Sequence, residues 1–183
     1  MRHAGTRRLE TKRLILRRFV MEDARAMFEN WAADQEVTRY LTWPPHKSQE
    51  VTRSVLETWT SSYEDQRFYQ WAIVLKEAGE RPIGCISAVG LKEETSSVEI
   101  GYCLGRPWQH QGIMTEALGA VIDFFFQETG ACRLEARHDP RNPSSGRVMQ
   151  RCGMTYEGTM KGTDRNNQGI CDASWYAVRR PED

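Results

Sequence analysis

The chain has 183 residues, 25 Lys+Arg against 25 Asp+Glu, and 39% apolar residues. That length predicts one domain that buries roughly two-thirds of its unfolded surface, and the even charge gives no indication of a general electrostatic grip on nucleic acid or anionic membrane, a local basic patch staying open. Five widely spaced cysteines without a CxxC pair indicate neither zinc knuckle nor disulfide framework; with no apolar run near the roughly 20 residues of a membrane span and no apolar stretch after the basic start, a cytoplasmic protein is expected.

Residues 13–19 (RLILRRF) alternate apolar and basic side chains and read as a strand. Residues 22–33 carry Ala24, Met27, Phe28 and Trp31 at helical spacing. Residues 40–46 hold the stiff Trp43-Pro44-Pro45, and Ser48 suits the N-cap of a helix running to about Tyr63. Residues 68–76 and 83–91 read as a hairpin around the turn at 77–82, and 97–104 as a third strand. A helix over about 112–129 places Ile113, Ala117, Leu118, Val121, Ile122 and Phe125 on one side. A strand at 132–138 follows, then a short helix at 143–151 stopped by Gly153, then strands near 154–161 and 170–179. The order β-α-α-β-β-β-α-β-α-β-β predicts a mixed sheet with helices packed on it, without internal repeats.

Residues 104–117, LGRPWQHQGIMTEA, take the chain from a strand end through a short loop into a helix. The first turn of a helix has unpaired N–H groups and the positive end of the macrodipole, which suits an anion such as a pyrophosphate. Gly112 removes a Cβ where backbone and phosphate would meet, although one glycine before a helix also serves simply as a turn. His3, His46, His110 and His138 are scattered, so no metal site is expected.

Gln109-His110-Gln111-Gly112-Ile113-Met114 resembles the coenzyme A motif Q/R-x-x-G-x-G/A of the GNAT acetyltransferase superfamily, and the flanking Ile100-Gly101-Tyr102 and Thr115-Glu116-Ala117 strengthen the match. Asn142-Pro143-Ser144-Ser145 followed by Cys152-Gly153-Met154 resembles the N-x-x-S … G-F signature of the RimJ/RimL-like branch. The closing GICDASWYA and the opening ETKRLILR are similar to that branch as well, so the resemblance spans nearly the whole chain. Three positions depart from it. His110 stands where many relatives have glycine, Met114 where the short motif asks for Gly or Ala, and Met154 where Phe is usual. None removes a backbone donor; His110 carries a cost if the loop needs an unusual φ there. A lysine-bearing P-loop is missing, which argues against a nucleoside triphosphatase.

The resemblance implies a three-layer α/β/α domain over residues 9–179 with a mixed, mostly antiparallel seven-stranded sheet, and flexible ends at 1–8 and 180–183. It implies acetyl-CoA as cosubstrate, with no metal. The pantetheine arm would lie beside Tyr102, Cys103 and Leu104, and the pyrophosphate on the amides of Gln109, His110, Gln111, Gly112, Ile113 and Met114, with Asn142 and Ser145 near the thioester. An amine must be neutral to attack. With pKa values of about 8 for an α-amine and about 10.4 for lysine, a base helps either acceptor and lysine more. Glu99 is the candidate base by position and Asp164 the second, although the one also suits an arginine partner and the other a turn. Where many relatives carry a tyrosine the chain has Met149, which leaves Ser145 as candidate donor to the departing sulfur, or else an N-terminal cap. Trp43, Tyr69 and Trp71 are candidates for lining the acceptor groove, Trp43 foremost because it sits in the Pro-rich loop, whereas Trp71 lies in a strand where burial is equally expected. The acceptor implied is a primary amine, foremost a protein N-terminal α-amine. The alternatives are a small-molecule amine or a non-catalytic acyl-CoA-binding module. No direct nucleic-acid or membrane partner is expected, and a homodimer is left open.

Overall fold

The computed structural model describes residues 1–181. Its strands are β1 (Leu9–Glu10), β2 (Leu14–Arg17), β3 (Gln70–Leu75), β4 (Pro82–Lys92), β5 (Ser97–Leu104), β6 (Arg133–His138), β7 (Thr155–Asn166) and β8 (Gly169–Arg179). They form one eight-stranded sheet in the order β1-β2-β3-β4-β5-β6-β8-β7. Eight strands replace the seven expected. The additional one, β1, has only two residues, paired with Leu16 and Ile15, and is too short to show alternation in the sequence.

Every neighbouring pair is antiparallel except β5 and β6, which run parallel and share three rungs only: Ser97 with Arg133, Val98 with Leu134 and Glu99 with Glu135. Beyond Glu99 the two strands part. From Ile100 to Leu104, β5 is paired on its β4 side alone.

Alternation along the strands divides the core between the two faces of the sheet. On one face Trp71, Ile73, Leu14, Leu16, Val98 and Ile100 pack under α4 (Ile113–Phe124), whose Ala117, Leu118 and Val121 are fully buried. On the other, Ala72, Cys85 and Cys103 pack with Met27, Trp31 and Leu56 from α1 (Ala24–Met27), the turn after it, and α3 (Gln49–Ser62). The helix predicted over 22–33 is α-helical only in α1 and then widens into a π turn over Phe28–Ala32. α4 likewise widens into a π turn over Phe125–Thr129 and stops at Gly130, whose φ is 70°. α2 (Gln35–Thr38) is a single turn capped by the Asp34 carboxylate, which accepts from the Glu36 amide. α5 is Pro143–Arg151, as its sequence predicts.

β7 runs through Asn166 rather than stopping near 161, and the turn falls at Asn167 and Gln168. The polar run 163–167 has turn composition, but β8 supplies pairing partners as far as Asn166. Asp164 is therefore a strand residue opposite Cys171. Residues 1–8, expected as a loose end, lie against the core. The Arg2 amide donates to Thr129 O, the Gly5 amide to Gln66 O, and buried Thr6 donates to Phe68 O at 2.9 Å. At the other end the Arg180 amide donates to Cys132 O, and residues 182 and 183 lie outside the described part.

Candidate active site

A cleft of about 570 Å³ opens where β5 and β6 part. Its first wall is the loop entering α4. His110 has φ 61° and Gly112 φ 74°, both left-handed. The unusual backbone that would make His110 costly is therefore present, and glycine at 112 meets the same demand without strain. Gly112 is the N-cap, so no side chain caps the first-turn amides of α4, which stay available to an anion.

The loop is held from behind. Glu116, one turn into α4, accepts from the Thr11 hydroxyl at 2.6 Å, the Arg13 amide at 2.8 Å and Arg13 Nε at 2.6 Å. Arg13 also donates to Gln111 O at 2.9 Å, Gln109 Nε2 to Leu104 O at 2.8 Å and Gln111 Nε2 to Pro107 O at 2.7 Å. Uncapped amides beside a stretch of β5 that, among the described residues, has no neighbouring strand on this side suit the diphosphate and amide-bearing arm of coenzyme A. Gly112→Asp should raise the KM for acetyl-CoA about tenfold or more while leaving the far-ultraviolet circular dichroism unchanged. Aspartate tolerates a left-handed backbone better than most residues, so its charge is the main perturbation.

The second wall is α5. Ser145 Oγ donates to the Tyr102 hydroxyl at 3.0 Å, and that hydroxyl donates to Ser145 O at 3.0 Å. Burial pushes the Tyr102 phenol far above its ordinary range, so it stays protonated. The sequence points to Tyr102 only for its backbone, but its side chain brings a phenol to Ser145 from β5, while Met149 is buried. Tyr102 is two residues from buried Ile100 on β5, so strand parity puts the two on the same face. Asn142 is the N-cap of α5, lines the cleft, and makes no side-chain cap bond.

Two of the cleft's carboxylates meet at Arg137 on β6. Arg137 pairs with Glu99 through one guanidinium nitrogen and with Asp164 through Nε at 2.7 Å, and its guanidinium lies 5.2 Å from the Trp175 ring centre. Burial raises the Glu99 carboxyl above its ordinary value, although the Arg137 and Lys92 charges oppose the rise. Deeper in, Asp139 accepts from Arg141 at 2.6 Å and from Asn166 at 2.8 Å, and these contacts hold its carboxyl at about 2.

The remaining wall faces α3. Trp43 lines it as expected from the Pro-rich loop, joined by Tyr40 and Trp59, which the sequence did not single out. Tyr69 and Trp71 do not reach the cleft. They are 1% and 0% exposed on the opposite face, stacked against each other and edge-on to Phe124 and Phe125. Strand parity sends Gln70 and Ala72 the other way, and Gln70 lines the cleft in their place. A lone amide in the run FYQWAIVL was the available signal.

Asn167, at the tip of the β7–β8 hairpin, ties this wall in place. Its Nδ2 lies within hydrogen-bond reach of Thr38 O, Leu41 O and Trp43 O, at 2.8, 3.1 and 2.5 Å. Asn167→Ala should release the 38–43 segment and raise the acceptor KM about three- to tenfold with kcat nearly unchanged, read from initial rates.

Residues 13–155 match the acetyltransferase (GNAT) domain family. The chain belongs to that family. The GNAT chain is 30% identical over 175 residues to the uncharacterized N-acetyltransferase YoaA of Bacillus subtilis, covering 96% of this chain and 98% of that one. It is 32% identical to the ribosomal-protein-serine acetyltransferase of Escherichia coli, over 75% of each chain. Among solved structures, RimL, a ribosomal α-N-protein acetyltransferase in complex with coenzyme A, superposes with a TM-score of 0.83 at 22% identity, covering 94% of this chain and 98% of that one. The GNAT chain is an acetyl-CoA-dependent N-acetyltransferase of RimJ/RimL-like kinship. Among the described residues no group of His, Cys, Asp and Glu is placed to hold a metal, and no helix is long and apolar enough to cross a membrane.

Proposed function

We propose that this GNAT enzyme moves the acetyl group of acetyl-CoA to the α-amine of a protein N-terminus. The observation that carries the reading is the charge of the cleft. Its three carboxylates, Glu99, Asp139 and Asp164, are outnumbered by four guanidinium groups, Arg137, Arg147, Arg151 and Arg165. All three are engaged by arginines. A polyamine or aminoglycoside needs unpaired carboxylates to offset several positive charges. This wall suits an acceptor with one amine on an otherwise neutral chain. The name of the Escherichia coli relative points the same way.

In this reading the loop amides from Gln109 to Met114 and the open edge at Tyr102, Cys103 and Leu104 hold the cosubstrate, and Asn142 anchors the arm beside the thioester. Acetyl-CoA supplies the activated acyl group. Glu99 takes the ammonium proton, directly or through one water, and its raised pKa brings it closer to the amine it must deprotonate. Arg137 positions Glu99, with Asp164 bracing Arg137 from the far side. Ser145, linked to the protonated Tyr102, holds a proton for the departing sulfur.

The test is thiol release from acetyl-CoA, screened against peptides with free N-termini, the same peptides blocked at the N-terminus, and a panel of polyamines, aminoglycosides and amino acids. Turnover of free peptides and not of blocked ones is expected. Preference for a polycation would overturn the reading.

A further inference from the structure

An arginine partner fixes a carboxylate in place but weakens it as a base, because the cation favours the ionised form. Glu99 has such a partner in Arg137. A base for an amine needs something nearby to offset that cation, and the strand register supplies it. Glu99 and Glu135 are Cα partners on the last of the three rungs between β5 and β6. Neighbouring strands stand about 4.8 Å apart, and paired residues point to the same face. Two carboxylates therefore stand abreast at the point where the strands part.

Their surroundings differ. Glu99 lines the cleft at the C-terminal end of the seam, facing Arg137 of β6, with Asp164 of β7 behind that arginine. Glu135 is buried and lines a second cavity at the other end of the seam, with Lys92 of β4, Arg133 of β6 and Arg179 of β8. Lys92 pairs with one oxygen of Glu135 and Arg133 Nε with the other at 3.3 Å, while Arg133 also donates to exposed Glu157 of β7 at 2.8 Å. Lys92 and Arg137 both lie over the Trp175 ring of β8, at 6.0 and 5.2 Å from its centre. The pairs Glu99–Arg137 and Glu135–Lys92 thus flank one indole, whose apolar surface limits screening by water. Burial is the largest influence raising the Glu99 carboxyl; Arg137 opposes it, the Glu135 charge adds to it and Lys92 opposes it again.

On the reading of Glu99 as the base, we propose that Glu135 is a positioning residue for proton transfer, whose fixed negative charge, held by Lys92, offsets Arg137 and keeps Glu99 a competent base. The role is the same whichever amine is the acceptor.

The experiment records kcat/KM against pH by thiol release, using the best acceptor from the peptide and amine screen above, in wild type, Glu135→Gln, Lys92→Met, Glu157→Gln and Glu99→Gln. Ionisation of the amine is common to all five, so differences between them belong to the protein. Glu135→Gln removes the like charge. Its acid limb should move down by about half a pH unit or more, with kcat above the limb falling about two- to fivefold because the base is weaker. Lys92→Met removes an opposing cation, so its limb should move up by a similar amount, and it serves as the readout should Glu135→Gln fail to fold. Glu157→Gln makes the same change in net charge from beyond Arg133 and should leave the limb within about 0.2 pH unit of wild type. Limbs that stay put in Glu135→Gln and Lys92→Met, that move in the same direction, or that move as far in Glu157→Gln overturn the inference. The base reading survives that result if Glu99→Gln abolishes the limb. A limb that persists in Glu99→Gln refutes the base reading, and the role of Glu135 falls with it, as both do if no amine is turned over.

Discussion

Glu99→Gln should lower kcat/KM for the acceptor by about 10²–10⁴-fold at pH 7, the range attributed to general base catalysis. The substitution preserves shape, so the KM for acetyl-CoA should hold within about twofold. The deficit should also depend on pH. An α-amine with pKa near 8 is mostly protonated at pH 7 and mostly neutral at about pH 9.5. A base is needed only in the first condition, so the variant should recover much of the lost rate as pH rises. Initial rates at both pH values decide the matter. A deficit of equal size at the two would show that Glu99 does not take the proton.

Arg137→Leu should reshape both activity and stability, because one guanidinium neutralises Glu99 and Asp164 together. With Arg137 gone, the opposing charge on Glu99 is lost and burial dominates, so its carboxyl rises further. The base is then protonated over a wider range, and the acid limb of the pH–rate profile should move up. Activity at pH 6 should suffer more than activity at pH 8. Stability follows with a definite sign. A carboxyl already raised in the folded state contributes most when protonated, below its ordinary value near 4.5, and that contribution is lost as pH climbs through the folded value. The variant widens this window. Its destabilisation should therefore grow from pH 4.5 to pH 7, reaching about 2 kcal/mol, a value below the fully buried case because Arg137 retains 29% exposure. Urea midpoints at the two pH values would check it, and equal losses at both would refute the charge argument.

Much of the fold was legible because periodicity was strong. β5 and α5 fall where their sequences place them, and Gly112, singled out before α4 for its missing Cβ, sits at a left-handed φ of 74°. What escaped has local causes. β1 is two residues long, and β7 continues because its partner does, a tertiary fact invisible in a polar run such as Thr163 to Asn167. The cleft was legible in part. The aromatics were assigned by type, so Tyr69 and Trp71 were placed in the groove, whereas strand parity puts them in the core and Gln70 in the cleft. That Glu99 and Asp164, 65 positions apart in the chain, converge on a single arginine could not be read from spacing at all.

Three rungs join β5 to β6. The sheet is continuous on paper but mechanically it is two plates on a short seam, β1 to β5 on one side and β6 to β8 on the other. Beyond the seam the plates are kept in register by lighter ties, such as the Cys152 thiol on Thr115 O and the Asn167 amide on the 38–43 segment. A molecule whose own amides bridge the opening becomes a structural member, closing the wedge like a missing plank. With the cosubstrate placed as proposed above, its grip and the rigidity of the scaffold draw on one ladder, and a slackened tie far from the Gly112 turn is expected to register as weakened cosubstrate binding.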